Sequence, residues 1–166
     1  MNYSEEFTDF KQKEFSSCMV SERDHETVIF DSSVIFKWYH FEKEDNLEIS
    51  KMLYEKTISK CFHVLSPDLL IYELVNIFRF RTDIYPELLK KILEEISIIL
   101  IFIRLENQDY VNAYEVSRKT GSSIYDSMYI AISEKYRAQF VTADKKLYRI
   151  FKPLNYGITM LEDFLS

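Results

Sequence analysis

Residues Val28 to Val34 read Val-Ile-Phe-Asp-Ser-Ser-Val. The run Thr27 to Phe30 is β-branched and aromatic, as in a strand buried on both faces, and it stops at an acid followed by two hydroxyl residues. This reads as a buried strand that delivers Asp31 into a polar loop. If more such strands follow, alternating with helices, the sheet must be parallel and covered on both sides. Ligands of such sheets gather beyond the carboxyl ends of the strands.

Outward from this stretch the alternation continues. Residues 47–60 (LEISKMLYEKTISK) have helical spacing, and Phe62 to Leu65 is a second short strand. Ser66-Pro67-Asp68 predicts a helix start, with a hydroxyl N-cap, proline at the first position and an acid in the first turn. That helix carries Leu70, Leu74, Ile77 and Phe78 on one side and runs to about Arg81. Another is expected from about Pro86, and a third strand over Ile98 to Ile103. Asn107 is expected to cap a helix that ends near Gly121, and Ser122 or Ser123 to cap the next, through about Lys135. Phe140 to Thr142 is a fourth strand, and Gly157 to Met160 a candidate fifth. The expectation is an α/β fold of three layers, with a parallel sheet of four to five strands and helices on both faces. Asp31 directly follows the first strand and Asp144 stands two residues after the fourth, where such a sheet places its site.

With 166 residues the chain is expected to form one domain and to bury about two-thirds or more of its unfolded surface without a staple. Residues 1–26 are polar, lack a core pattern and read as a flexible or loosely docked extension; residues 27–166 carry the domain. Cys18 and Cys61 form no CxxC pair, and His25, His40 and His63 have no metal-site spacing, so a zinc ribbon and a disulfide framework are excluded. No stretch approaches the roughly 18 uncharged apolar residues of a membrane helix. The longest apolar run, Ile96 to Ile103, contains Ser97 and ends at Arg104. The first residues are acidic where a secretory leader is basic, so a soluble cytoplasmic protein is expected. A net charge of −6 argues against a passive nucleic-acid binder, but not against an enzyme that holds cations among carboxylates.

Four acids stand out, although each has an ordinary explanation. Asp31 suits a turn and Glu73 a solvated helix position, while Asp126 complements a helix dipole and Asp144 caps the helix that begins at Lys145. Glu73 and Asn76 are three apart on one helix and so point to the same side. The wording around the acids, taken in order, carries more weight. Val28-Ile-Phe-Asp-Ser-Ser-Val34 comes first, then Ser66-Pro-Asp-Leu-Leu-Ile-Tyr-Glu-Leu-Val-Asn76. Ser123-Ile-Tyr-Asp-Ser-Met-Tyr-Ile-Ala131 follows, and Val141-Thr-Ala-Asp-Lys-Lys-Leu147 is last.

From Thr27 onward this order resembles the PIN-domain family, and within it the VapC-type toxins of toxin–antitoxin pairs. The resemblance implies a PIN-like nuclease domain over 27–166. It implies that Asp31, Glu73, Asp126 and Asp144 are the catalytic acids and hold Mg²⁺ or Mn²⁺. It also implies that Ser33, Asn76 and Thr142 organise the site. The function implied is a metal-dependent endoribonuclease, the toxin of a type II pair, with RNA as substrate, a protein antitoxin as partner and a homodimeric assembly. Hard cations prefer oxygen ligands, and crowded carboxylates repel without a cation, so the chemistry suits the quartet. Lys37, Arg79 and Lys145 are candidates for phosphate contacts; Trp38, Tyr72, Tyr125 and Tyr129 are candidates to stack on bases. Apolar and aromatic residues around 47–60 and 70–85, among them Met52, Tyr54, Ile58, Phe78 and Phe80, suggest a dimer surface, with an antitoxin covering a groove near Trp38. Two departures stand out: the family usually has the first acid of the quartet within a few residues of the start, whereas about 30 residues precede Asp31, and the chain holds only two glycines. A housekeeping PIN nuclease without an antitoxin and a degenerate PIN binding module remain alternatives. A phosphate-transferring α/β protein would want paired acids after the first strand, which Asp31-Ser-Ser33 does not supply.

Overall fold

The structure is a computed structural model that describes residues 26–39 and 47–165. Five strands form one parallel sheet: β1 (Glu26–Phe30), β2 (Phe62–Pro67), β3 (Ile101–Ile103), β4 (Gln139–Thr142) and β5 (Ile158–Met160), in the order β3-β2-β1-β4-β5. Alternate residues of the central strands feed two separate cores, as the period of two demands. Val28, Phe30, Val64 and Val141 enter one, while Ile29, Leu65 and Phe140 enter the other.

Helices cover both faces. The first core is closed by α1 (Ser32–Lys37), α2 (Leu47–Ile58), α3 (Leu69–Phe78) and α4 (Pro86–Ile99), through Val34, Leu53, Leu70, Leu74, Ile92 and Ile96. The second is closed by α5 (Asn107–Thr120), α6 (Ile124–Tyr136) and α7 (Lys145–Phe151). In α6 every residue from Ser127 to Ser133 is buried, so this helix is covered on all sides. Among the described residues no helix is long and apolar enough to cross a membrane.

Several boundaries differ from the sequence reading. Ser66 does not cap a helix: Ser66 and Pro67 pair with Phe102 and Ile103 of β3, and α3 begins only at Leu69, after Asp68. Sheet pairing overrides the local Ser-Pro-Asp signal there. Pro67, which has no N–H to offer, takes the last position of the strand. Residues 98 and 99 are helical, not strand, because the spacing of Ile92 and Ile96 keeps α4 winding until Leu100 turns extended. The cap of α5 is Glu106, and Asn107 is the first helical residue. Gly121 ends α5 with φ of 72°, the left-handed geometry that glycine adopts without strain. Ile124, in the first turn of α6, is exposed. Residues 1–25 of the expected extension, with Cys18 and His25, lie outside the described residues, as does His40; Glu26 already belongs to β1.

Candidate active site

The strand order supplies a fact that local sequence does not. From β1 the chain winds outward to β2 and β3, then returns to lay β4 and β5 on the other side of β1. The carboxyl ends of β1 and β4 therefore flank the point where the winding reverses, the usual crevice of an open α/β sheet. Asp31 leaves β1 at this point, and Thr142 and Asp144 leave β4.

Asp31 caps α1 and is buried. Its Oδ1 accepts from the backbone N–H of Ser33 at 3.0 Å, from that of Val34 at 3.2 Å and from Ser33 Oγ at 2.5 Å. Its Oδ2 accepts from Thr142 Oγ1 at 2.5 Å. Burial pushes its pKa up to about 6 against the pull of these donors, and the negative charge of Glu73 pushes the same way. The same hydroxyls bind the β4 loop: Ser33 Oγ accepts from the Ala143 N–H at 2.9 Å, and Thr142 Oγ1 accepts from the Asp144 N–H at 2.9 Å. Two hydroxyls thus fasten the first acid to the loop that presents the last.

Glu73 is half-buried on α3. Burial raises its pKa, the hydroxyls of Tyr129 and Ser32 donate to it and lower it, and the charge of Asp126 raises it again. Tyr129 donates to Glu73 Oε2 at 2.7 Å, and its hydroxyl feels the charges of Glu73, Asp31 and Asp126 together. Asp31, Glu73 and Asp126 thus share one electrostatic neighbourhood. Asp144 is exposed, and its Oδ1 accepts from the backbone of Lys146 at 2.7 Å and of Leu147 at 3.2 Å. Its backbone N–H is tied to Asp31 through the Thr142 hydroxyl, while its carboxylate is engaged by its own helix.

Residues 28–152 match the PIN domain profile, well over half of the chain. The chain belongs to the PIN domain family. No curated protein matches it significantly in sequence. Among solved structures it resembles PAE2754 from Pyrobaculum aerophilum, at 18% identity and TM-score 0.58, over 85% of this chain and 94% of the other. It also resembles a chain of a toxin–antitoxin complex from Klebsiella pneumoniae, at 9% identity and TM-score 0.60, over 81% and 97%. A third is Mycobacterium tuberculosis VapC20, a sarcin–ricin loop cleaving toxin, at 13% identity and TM-score 0.59, over 78% and 95%. At these identities the likeness is one of fold.

The remaining candidates are spread around this PIN domain. Asn76 is exposed on α3 and makes no hydrogen bond to the acids among the described residues. Lys37 ends α1 half-buried, and Lys145 is exposed beside Asp144 at the start of α7. Arg79 follows the last residue of α3, with its guanidinium 4.3 Å from the centre of the Phe80 ring, and lines a groove between α3 and α4. Tyr72 and Tyr125 are exposed near Glu73 and Asp126. Trp38 and Tyr129 are core residues and cannot stack on a base. Ser32 and Tyr129 as partners of Glu73 escape sequence reading, since nothing local marks a hydroxyl that reaches another element.

Among the described residues no three acids, imidazoles or thiols stand at ligand spacing about one point. The chemistry of the donor set nevertheless suits a hard cation. Every group is an oxygen, and burial together with like charge makes the ionised forms of Asp31 and Glu73 costly. A divalent ion offsets both costs.

Proposed function

We propose that this PIN domain is a Mg²⁺- or Mn²⁺-dependent endoribonuclease, the toxin of a type II toxin–antitoxin pair. The observation that carries this reading is the sharing of one electrostatic neighbourhood by Asp31, Glu73 and Asp126 at the crevice where the sheet reverses its winding. Asp31, Glu73, Asp126 and Asp144 would hold the ion. Once bound, it would polarise a phosphate oxygen and make a bound water nucleophilic near neutral pH. Ser33 and Thr142 keep both oxygens of Asp31 oriented, and Ser32 and Tyr129 orient Glu73. Lys37 and Lys145 are the cations nearest in sequence to Asp31 and Asp144, and with Arg79 they are the candidates for the RNA backbone.

RNA as substrate is supported by the fold shared with VapC20, and an antitoxin partner by the fold shared with a chain of the Klebsiella pneumoniae complex. A homodimer and a cytoplasmic location complete the reading. The test is cleavage of RNA with Mg²⁺ or Mn²⁺ by Asp31→Asn, Glu73→Gln, Asp126→Asn and Asp144→Asn. Each variant is expected to remain folded and to lose activity by orders of magnitude. Wild-type activity in two or more of them overturns the assignment.

A further inference from the structure

Tyr129 has the burial of a core residue and the hydrogen bond of a site residue. Its ring is 1% exposed and stacks on Phe140 of β4, with centroids 5.6 Å apart and planes 3° apart. Stacking of this kind fixes both side-chain torsions, so the hydroxyl has no freedom of its own. That hydroxyl donates to Glu73 Oε2 at 2.7 Å. For packing alone phenylalanine would serve as well, and it would spare the desolvation of a phenol.

The position of the bond matters as much as its length. Tyr129 belongs to the core on the α5–α7 side of the sheet, whereas Glu73 sits on α3, which closes the opposite core. The hydrogen bond therefore joins the two layers at the carboxyl edge, beside Asp31. On the α3 side Ser32 donates to the same carboxylate. Asp126 precedes Tyr129 by three residues on α6, so both project toward the same place. A half-buried glutamate on a helix has three torsions to settle, and two rigid donors settle them.

We infer that Tyr129 is a positioning residue, whose hydroxyl holds the Glu73 carboxylate in the orientation that meets the divalent cation. The inference rests on the metal-dependent reading above. Partners that orient a ligand of a metal commonly change affinity by about 10- to 100-fold when removed.

The test is calorimetric titration of the full chain with MnCl₂, for wild type, Tyr129→Phe, Glu73→Gln and the double variant, with melting in EDTA alongside. Tyr129→Phe keeps the stacked ring and is expected to keep the far-ultraviolet spectrum while binding Mn²⁺ at least about 10-fold more weakly. In the Glu73→Gln background the same change is expected to add no further loss, because the hydroxyl acts through the carboxylate. Unchanged Mn²⁺ affinity in Tyr129→Phe overturns the inference, as does a loss that simply adds to that of Glu73→Gln. A Tyr129→Phe chain that no longer folds makes the hydroxyl a determinant of the fold and overturns it as well. Failure of the wild type to bind Mn²⁺ overturns the metal-dependent reading, and this inference with it.

Discussion

Asp31 is held by four donors, two more than its role as a helix cap uses, and it still prefers its proton up to about pH 6. A carboxylate in that position destabilises the metal-free fold near neutral pH. Asn at this position would keep Oδ1 for the Ser33 and Val34 N–H groups, and the Thr142 hydroxyl can turn to accept from the amide. Asp31→Asn is therefore expected to raise the melting temperature in EDTA at pH 7.5, by an amount worth up to roughly 3 kcal/mol. The same variant should show a much smaller rise on adding Mg²⁺ than wild type, because ligand binding to the folded state alone supplies that rise. Thermal melts with and without Mg²⁺ decide it: a variant less stable than wild type in EDTA, or equally responsive to Mg²⁺, contradicts this account. A fold that carries such a cost at its central crevice trades stability for function.

The capping of α5 depends on a charged group well away from the site. Glu106 and Asp109 form a reciprocal capping box, with the Glu106 N–H donating to Asp109 Oδ2 at 2.8 Å, and Lys135 of α6 lies 2.9 Å from Asp109 Oδ1. Burial would push the Asp109 carboxyl up, but the N–H and the Lys135 ammonium outweigh it and hold it below the usual range. A depressed folded pKa stabilises the fold above the unfolded value of about 4, and this is lost as pH falls through the folded value. Asp109→Asn is expected to cost about 1–2 kcal/mol at pH 7, with the gap narrowing only below about pH 4. Urea melts at pH 7 and in acid measure this; a gap that does not change with pH removes the carboxylate from the explanation. Elements were legible from sequence to the extent that their signals were local. Ser123, Asp144 and Gly121 end or cap helices through bonds to their own neighbours, and the structure has them doing so. Ser66-Pro67-Asp68 carries an equally strong local signal, yet pairing with β3, more than thirty residues later, draws it into the sheet.

At the scale of the molecule, the alternation of strands and helices gave three layers and a parallel sheet, but not the order of the strands. That order arises from which edge β4 adds to, a tertiary choice with no local marker, and it places Asp31 and Thr142 side by side. The acids could be named from sequence; the Ser33–Thr142 frame and the Tyr129 bond that join them needed the fold. Assembly was the least legible. Of the residues expected to form a dimer surface, Tyr54 and Phe78 are buried in the first core, and only Met52 and Phe80 are clearly exposed. Within the expected 70–85 stretch and on into α4, Val75, Tyr85 and Ile98 are exposed along a groove of about 930 Å³, and Phe80 is exposed in the loop between α3 and α4. Ile98 is 83% exposed in the last turn of α4. Apolar patches beyond a few hundred Å² on a small domain mark a partner surface, and a second copy of this chain is the occupant expected here. Light scattering of the full chain at micromolar concentration should give twice the 20.0 kDa of one chain. Ile98→Asp should halve that mass and leave the melting temperature of the monomer within about 1 kcal/mol of its equivalent. A wild-type mass of one chain overturns the dimer, and an Ile98→Asp variant that stays dimeric moves the interface off this face.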